Sequence, residues 1–231
     1  MTARVQPRQL AFALPHAESL SRDNFLEGPS NAEALGLIDA WPDWPGNVML
    51  LVGPEGSGKS HLAAIWAEAA GARSTMAHAL SAAAVPASLV TGALVVEDLN
   101  PGGFDERALF HLLNLAREDQ AFVLLTARVP PSAFQVDLRD LRSRLRAIPV
   151  VSLLPPDDLL FRSLIVKLCD DRQLSVDESV VGYLASRIER SFAAAQRAVQ
   201  LLDVEALRLG RPVTRTLAAE LFRNSSGSPD A

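Results

Sequence analysis

Four short apolar runs, at 48–52, 94–96, 122–126 and 150–153, punctuate the first two thirds of the chain. Each is rich in Val and Leu with few polar interruptions, the pattern of strands buried on both faces. Between them, 59–70 and 106–119 carry apolar positions at helical spacing. The alternation from about 25 to 153 predicts a parallel sheet covered by helices, an α/β domain. After Pro155-Pro156 the strand pattern stops. Helices are predicted at about 157–172, 178–187, 192–209 and 214–222. In the third, Phe192, Ala195, Val199, Leu202, Ala206 and Leu209 recur at spacings of three and four and make one packing stripe. Gly210 ends that helix and Pro212-Val213-Thr214 opens the next. Residues 1–21, split by Pro7 and Pro15, show neither period, and 225–229 consist of Ser, Gly and Pro. The expected organisation is a mobile tail over 1–21, an α/β domain over 22–153, a small all-helical domain over 154–224, and a second tail.

Composition changes this picture little, and mainly by exclusion. A length of 231 residues, 48% of them hydrophobic, is enough for a sizeable core. The net charge of −5 argues against a chain that grips nucleic acid through its overall field. A single cysteine, Cys169, excludes an internal disulfide, and its place in a helical stretch predicts a structural thiol. His16, His61, His78 and His111 have no metal-binding spacing. No apolar run approaches a membrane span, and the N-terminus lacks the basic-then-apolar pattern of a signal peptide, so a cytoplasmic protein is expected.

The chemistry enters at 53–60. Gly53, Pro54, Glu55, Gly56, Ser57, Gly58, Lys59 and Ser60 fit G-x-x-x-x-G-K-[ST] without a mismatch, between a predicted strand and a predicted helix. Glycines let such a loop curl its N–H groups inward around a phosphate, and the following helix aims its positive end at the same point. Lys59 is expected to reach the β- and γ-phosphates and the Ser60 hydroxyl to ligate Mg²⁺. The plain alternative is a glycine-rich turn that binds nothing. A second candidate feature is the acidic pair Glu97-Asp98 at the end of the run that begins at Ala93.

Four segments then fall in a telling order. Asp23-Asn24-Phe25-Leu26-Glu27-Gly28 is followed by Asn31, and Gly58-Lys59-Ser60-His61-Leu62 opens the predicted helix. Thr126-Ala127-Arg128-Val129-Pro130-Pro131 and Asp140-Leu141-Arg142-Ser143-Arg144-Leu145 come after. Together they resemble the AAA+ ATPases of the DnaA family, over nearly all of 22–222. The resemblance implies a P-loop AAA+ parallel-sheet domain followed by a small helical lid, with ADP or ATP and Mg²⁺ as cofactors. It places Phe25 and Leu26 at an adenine pocket and His61 in the P-loop helix. Glu97 would help Ser60 hold Mg²⁺, and Asp98 would polarise the attacking water. Either Thr126 or Arg128 would read the γ-phosphate. Arg144 matches the arginine finger, which acts on nucleotide held by a neighbouring molecule; otherwise Arg139, Arg142, Arg144 and Arg146 form a solvated basic edge.

The chain also departs from the family pattern. Glu97 is one methylene longer than the usual Asp, and Asp98 is shorter than the usual Glu, so good binding with slow intrinsic hydrolysis is expected. Ala193 stands where the family's lid has an arginine, and Arg190 or Arg197 could replace it. That missing charge points toward ADP over ATP.

The chain ends at Ala231, which suggests a protein without the family's basic DNA-binding domain. In this it resembles the short family members that inactivate the initiator. That resemblance implies the DNA sliding clamp and initiator DnaA as partners, possible homo-oligomers, no membrane, and only weak or indirect DNA contact. A clamp-binding peptide would be Gln9-Leu10-Ala11-Phe12-Ala13-Leu14, with Gln9 hydrogen bonding and Leu10, Phe12 and Leu14 filling apolar pockets. The competing reading of those six residues is an apolar run that packs onto its own domain. Two other functions compete: a helicase loader, for which no aromatic–basic stretch is visible, and a small-molecule P-loop kinase.

Overall fold

Five short strands stack in parallel, in the order β2-β3-β4-β1-β5, in a computed structural model that describes residues 20–223. In chain order the first unit contains α1 (Ala32–Asp39), β1 (Val48–Val52), α2 (Lys59–Ala70), β2 (Arg73–Met76) and α3 (Val85–Ser88). It continues with β3 (Ala93–Glu97), α4 (Glu106–Glu118), β4 (Phe122–Ala127), α5 (Arg139–Ala147) and β5 (Val150–Ser152). A second compact unit begins at Asp158 and consists of α6 (Asp158–Asp171), α7 (Glu178–Arg187), α8 (Phe192–Leu209) and α9 (Arg215–Phe222).

The three middle strands are the apolar runs of the sequence, and they are buried because helices cover both faces. Leu50, Leu94, Val96, Val123 and Leu125 pack on one side with Leu109, Leu112 and Ala116 of α4. Met49, Leu51, Val95 and Leu124 pack on the other side with Leu35 of α1 and Leu62 and Trp66 of α2. Trp66 stacks on Trp44, with ring centroids 5.0 Å apart, and closes that second layer.

β2 is a strand that the apolar pattern misses. Arg-Ser-Thr-Met has no hydrophobic run, because β2 lies at the sheet edge and three of its four residues are exposed. Sequence reading also leaves α1 and α3 unassigned: both are short, and α1 is interrupted by Gly36. Where sequence reading breaks the chain after 153, the compact units divide between Asp157 and Asp158. The backbone explains the difference: Leu153 N–H donates to Val52 O and Leu154 N–H to Ser30 O, which keeps this stretch on the α/β unit.

In the helical unit three of the four helix starts have a local cause. The side chains of Asp177, Ser191 and Thr214 cap α7, α8 and α9 by accepting from Val180, Ala194 and Leu217 N–H. Gly210 ends α8 at φ 59°, the left-handed geometry that favours glycine. The stripe read from α8 is its packing face: Ala195, Val199, Leu202 and Ala206 are buried, Phe192 at its start is half-buried, and Leu209 at its last position is exposed.

Cys169 is fully buried in α6, and that burial pushes its thiol pKa up to about 11. A raised pKa means the folded protein holds the proton. Its stabilising contribution is therefore complete below the free-thiol range near 9 and is lost as pH rises through about 11. At pH 8 the native thiol is expected to react with a disulfide reagent at least about tenfold more slowly than the urea-unfolded chain. Equal rates would show that the thiol is accessible.

Candidate functional site

The strand order alone brings the chemistry together. β1, β4 and β3 are neighbours, and the P-loop, the Thr126–Arg128 segment and Glu97-Asp98 all leave their carboxyl ends. In an open parallel sheet that edge is where ligands bind. β4 separates the P-loop strand from the acidic strand, a gap of about 10 Å at ordinary strand spacing.

The P-loop is built for close approach of its backbone. Gly53 N–H donates to Ala127 O, which ties the start of the loop to β4. A Cβ at Gly53 would lie 2.7 Å from both Leu153 O and Ser57 Oγ, so the position has no room for a side chain. Gly56 and Gly58 adopt φ of 70° and 99°. Gly58 is also the N-cap of α2, so the first N–H groups of that helix face the loop. Ser57 Oγ is buried without a hydrogen-bond partner. A cradle closed to side chains, at a helix N-terminus and with an unpaired buried hydroxyl, suits a phosphate.

Lys59 Nζ donates to Gly53 O and Pro54 O, each at 2.7 Å, and so lies folded over the loop. Burial lowers its pKa below the ordinary lysine value, and the nearby Arg128 cation lowers it further. Asp98, Glu55 and Glu97 pull in the opposite direction, which places all five charges in one neighbourhood. Lys59 and Ser60 are placed to hold terminal phosphates and Mg²⁺, with Glu97 supplying the carboxylate, a set that would activate a phosphoryl group for transfer.

The segment before the sheet folds onto the P-loop helix. Phe25 is buried, its ring edge-on to His61 with centroids 5.2 Å apart, and it packs against Gly58. Asn31, also buried, accepts from Gly28 N–H through Oδ1 and donates to Leu26 O through Nδ2. That pair of bonds sets the turn that carries half-buried Leu26. His61 Nε2 lies 3.0 Å from Ser21 O.

Thr126 and Arg128 have different surroundings. Thr126 is 2% exposed, and its Oγ1 accepts from Asp98 N–H at 3.0 Å. Asp98 sits at φ 59°, and this bond with Leu99 N–H to Thr126 O pins the left-handed turn after β3. Arg128 is half-exposed and pairs with Glu55 at 2.8 Å and Asp98 at 3.3 Å. This bridge from P-loop to acidic strand is invisible in the sequence, where the three residues are far apart.

Arg144 lies on α5 with its guanidinium 5.1 Å from the Phe110 ring centre of α4. The start of α5 is anchored as well: the Glu106 carboxylate accepts from Asp137 and Leu138 N–H. Arg142 caps its own approach loop by donating to Val136 O. Arg139 and Arg146 are exposed on the same helix. In the helical unit Arg190 pairs with Asp158 at 3.1 Å, Ala193 lies in the first turn of α8, and Arg197 is exposed. Gln9, Leu10, Phe12 and Leu14 lie outside the described residues. No helix among the described residues is long and apolar enough to cross a membrane.

The sheet order, the P-loop and the helices that follow define the AAA+ fold. Domain III of the replication initiation protein DnaA from Thermotoga maritima matches with a TM-score of 0.72 and 20% identity, over 89% of this chain and 96% of that one. AMPPCP-bound DnaA from Aquifex aeolicus matches at 0.67 and 19%, over 82% of this chain and 67% of that one. The Thermotoga maritima RuvB Holliday junction branch migration motor matches at 0.71 and 18%, over 89% and 72%. No protein-family model matches the chain.

Proposed function

We propose that this chain is an adenine-nucleotide-binding regulator of replication initiation that resembles Hda, the inactivator of DnaA. It docks on the DNA sliding clamp through Gln9, Leu10, Phe12 and Leu14, and it presents Arg144 to ATP held by the initiator. The observation that carries this reading is the phosphate cradle at the carboxyl ends of β1, β4 and β3, in a fold shared with DnaA domain III. The likeness to AMPPCP-bound DnaA supports adenine as the base. The held position of Arg144 over Phe110, outside the P-loop, suits a finger that serves a neighbour.

Co-elution with a bacterial sliding clamp tests the proposal. The wild type is expected to bind at about micromolar affinity, since the peptide must order on binding. Leu10→Ala with Phe12→Ala is expected to lose clamp binding and keep nucleotide binding. Unchanged clamp affinity in that double variant would sink the anchor assignment. The RuvB match supports a second reading, a DNA-associated AAA+ motor or helicase loader. Under it the wild type ignores the clamp and its nucleotide turnover rises with single-stranded DNA.

A further inference from the structure

Arg128 stands beside a second cation and between two carboxylates. Its guanidinium is close enough to the Lys59 ammonium to depress that group's pKa, second only to burial. Two carboxylates hold it there: Glu55 on the P-loop and Asp98 at the end of β3. Thr126 lies behind this space, where its buried hydroxyl accepts from Asp98 N–H.

We propose that Arg128 is an inhibitory latch that engages the Asp98 carboxylate and keeps this chain's own hydrolysis slow while nucleotide is still bound. The inference rests on the nucleotide-binding reading above. Asp98 has little freedom to evade the latch. Its backbone is pinned at φ 59° by the bond to Thr126, so only side-chain rotation can aim the carboxylate. Arg128 Nε takes one of its oxygens at 3.3 Å, and the Glu55 pair at 2.8 Å holds the guanidinium to the P-loop. A carboxylate that polarises water must accept from that water along the line of attack, and small displacements are costly. Both ion pairs are partly exposed, with Arg128 at 49% and Asp98 at 39%, so the latch restrains Asp98 and does not abolish its action. The acid pair itself does not require this arginine, since Glu97 ends β3 and Asp98 is set by Thr126.

The test uses the full chain, with ADP and ATP binding measured by fluorescent-nucleotide titration and hydrolysis by single-turnover release of γ-phosphate in Mg²⁺. Arg128→Ala is expected to bind ADP and to hydrolyse ATP about three- to tenfold faster than wild type. Arg128→Lys, which keeps the charge, is expected to fall between the two. Asp98→Asn is expected to hydrolyse equally slowly with and without Arg128→Ala, because the latch acts only through that carboxylate, whereas loosening of the P-loop would still shift the residual rate. Unchanged turnover in Arg128→Ala overturns the latch, and so does a gain that survives Asp98→Asn. Slower turnover with weaker ATP binding overturns it too, and makes the guanidinium a phosphate ligand. If the wild type binds no adenine nucleotide, the nucleotide reading fails and the latch falls with it. Binding is measured first, so the two failures are distinguishable.

Discussion

Arg144→Ala is expected to bind nucleotide and clamp as the wild type does, and to lose the acceleration of ATP hydrolysis by initiator DnaA. A guanidinium placed at a transferring phosphoryl group is worth about 10³ or more in favourable cases, so a loss of at least about tenfold is expected. The expectation is specific because Arg144 is held and not merely exposed. Phe110 supports its guanidinium at 5.1 Å, and Glu106 fixes the start of α5 through the Asp137 and Leu138 amides. Arg144→Lys keeps the charge but lacks the planar fork, so it is expected to rescue little. Phosphate release from clamp-bound mixtures of the two proteins is the measurement. Full acceleration by Arg144→Ala would refute the finger and leave α5 a basic edge.

The second large effect is at Lys59. Lys59→Ala is expected to raise the Kd for adenine nucleotide about a hundredfold, since a charge-assisted bond to phosphate contributes up to about 3 kcal/mol. Two loop carbonyls hold the ammonium across the cradle, so its removal takes from the loop the charge and both of these bonds. The pH dependence follows from the lowered pKa. Phosphates stabilise the protonated form and raise the pKa on binding, so complex formation takes up a proton on the alkaline side. Affinity is therefore present below the pKa of the free protein and falls as pH rises through it, starting below the ordinary lysine range. Fluorescent-nucleotide titrations across that range measure both effects. An unchanged Kd in the alanine variant would refute the P-loop assignment.

Much of the sheet was legible because its central strands are hydrophobic on both faces. β1, β3 and β4 announce themselves as apolar runs, and the P-loop between β1 and α2 is a spacing motif that needs no tertiary information. β2 was not legible, since an edge strand faces solvent and its sequence is polar. The site divides in the same way. Lys59, Ser60, Glu97 and Asp98 follow from motif and strand end. The Arg128 bridge and the Phe110 support for Arg144 depend on which strand ends and helices become neighbours, and one chain read alone does not encode that in any local pattern.

The turn after β3 bears on why the second acid is aspartate. At φ 59° a side chain costs about 1 kcal/mol or more, and Asp and Asn are tolerated best because their short polar groups bond locally. Lengthening Asp98 to glutamate would add only a modest cost in this turn, as Gln120 and Gln173 show at φ 54° and 57°. Main-chain geometry thus leans toward the shorter acid without dictating it. Under the proposed reading, the aim of the carboxylate then rests on its partners at the strand end.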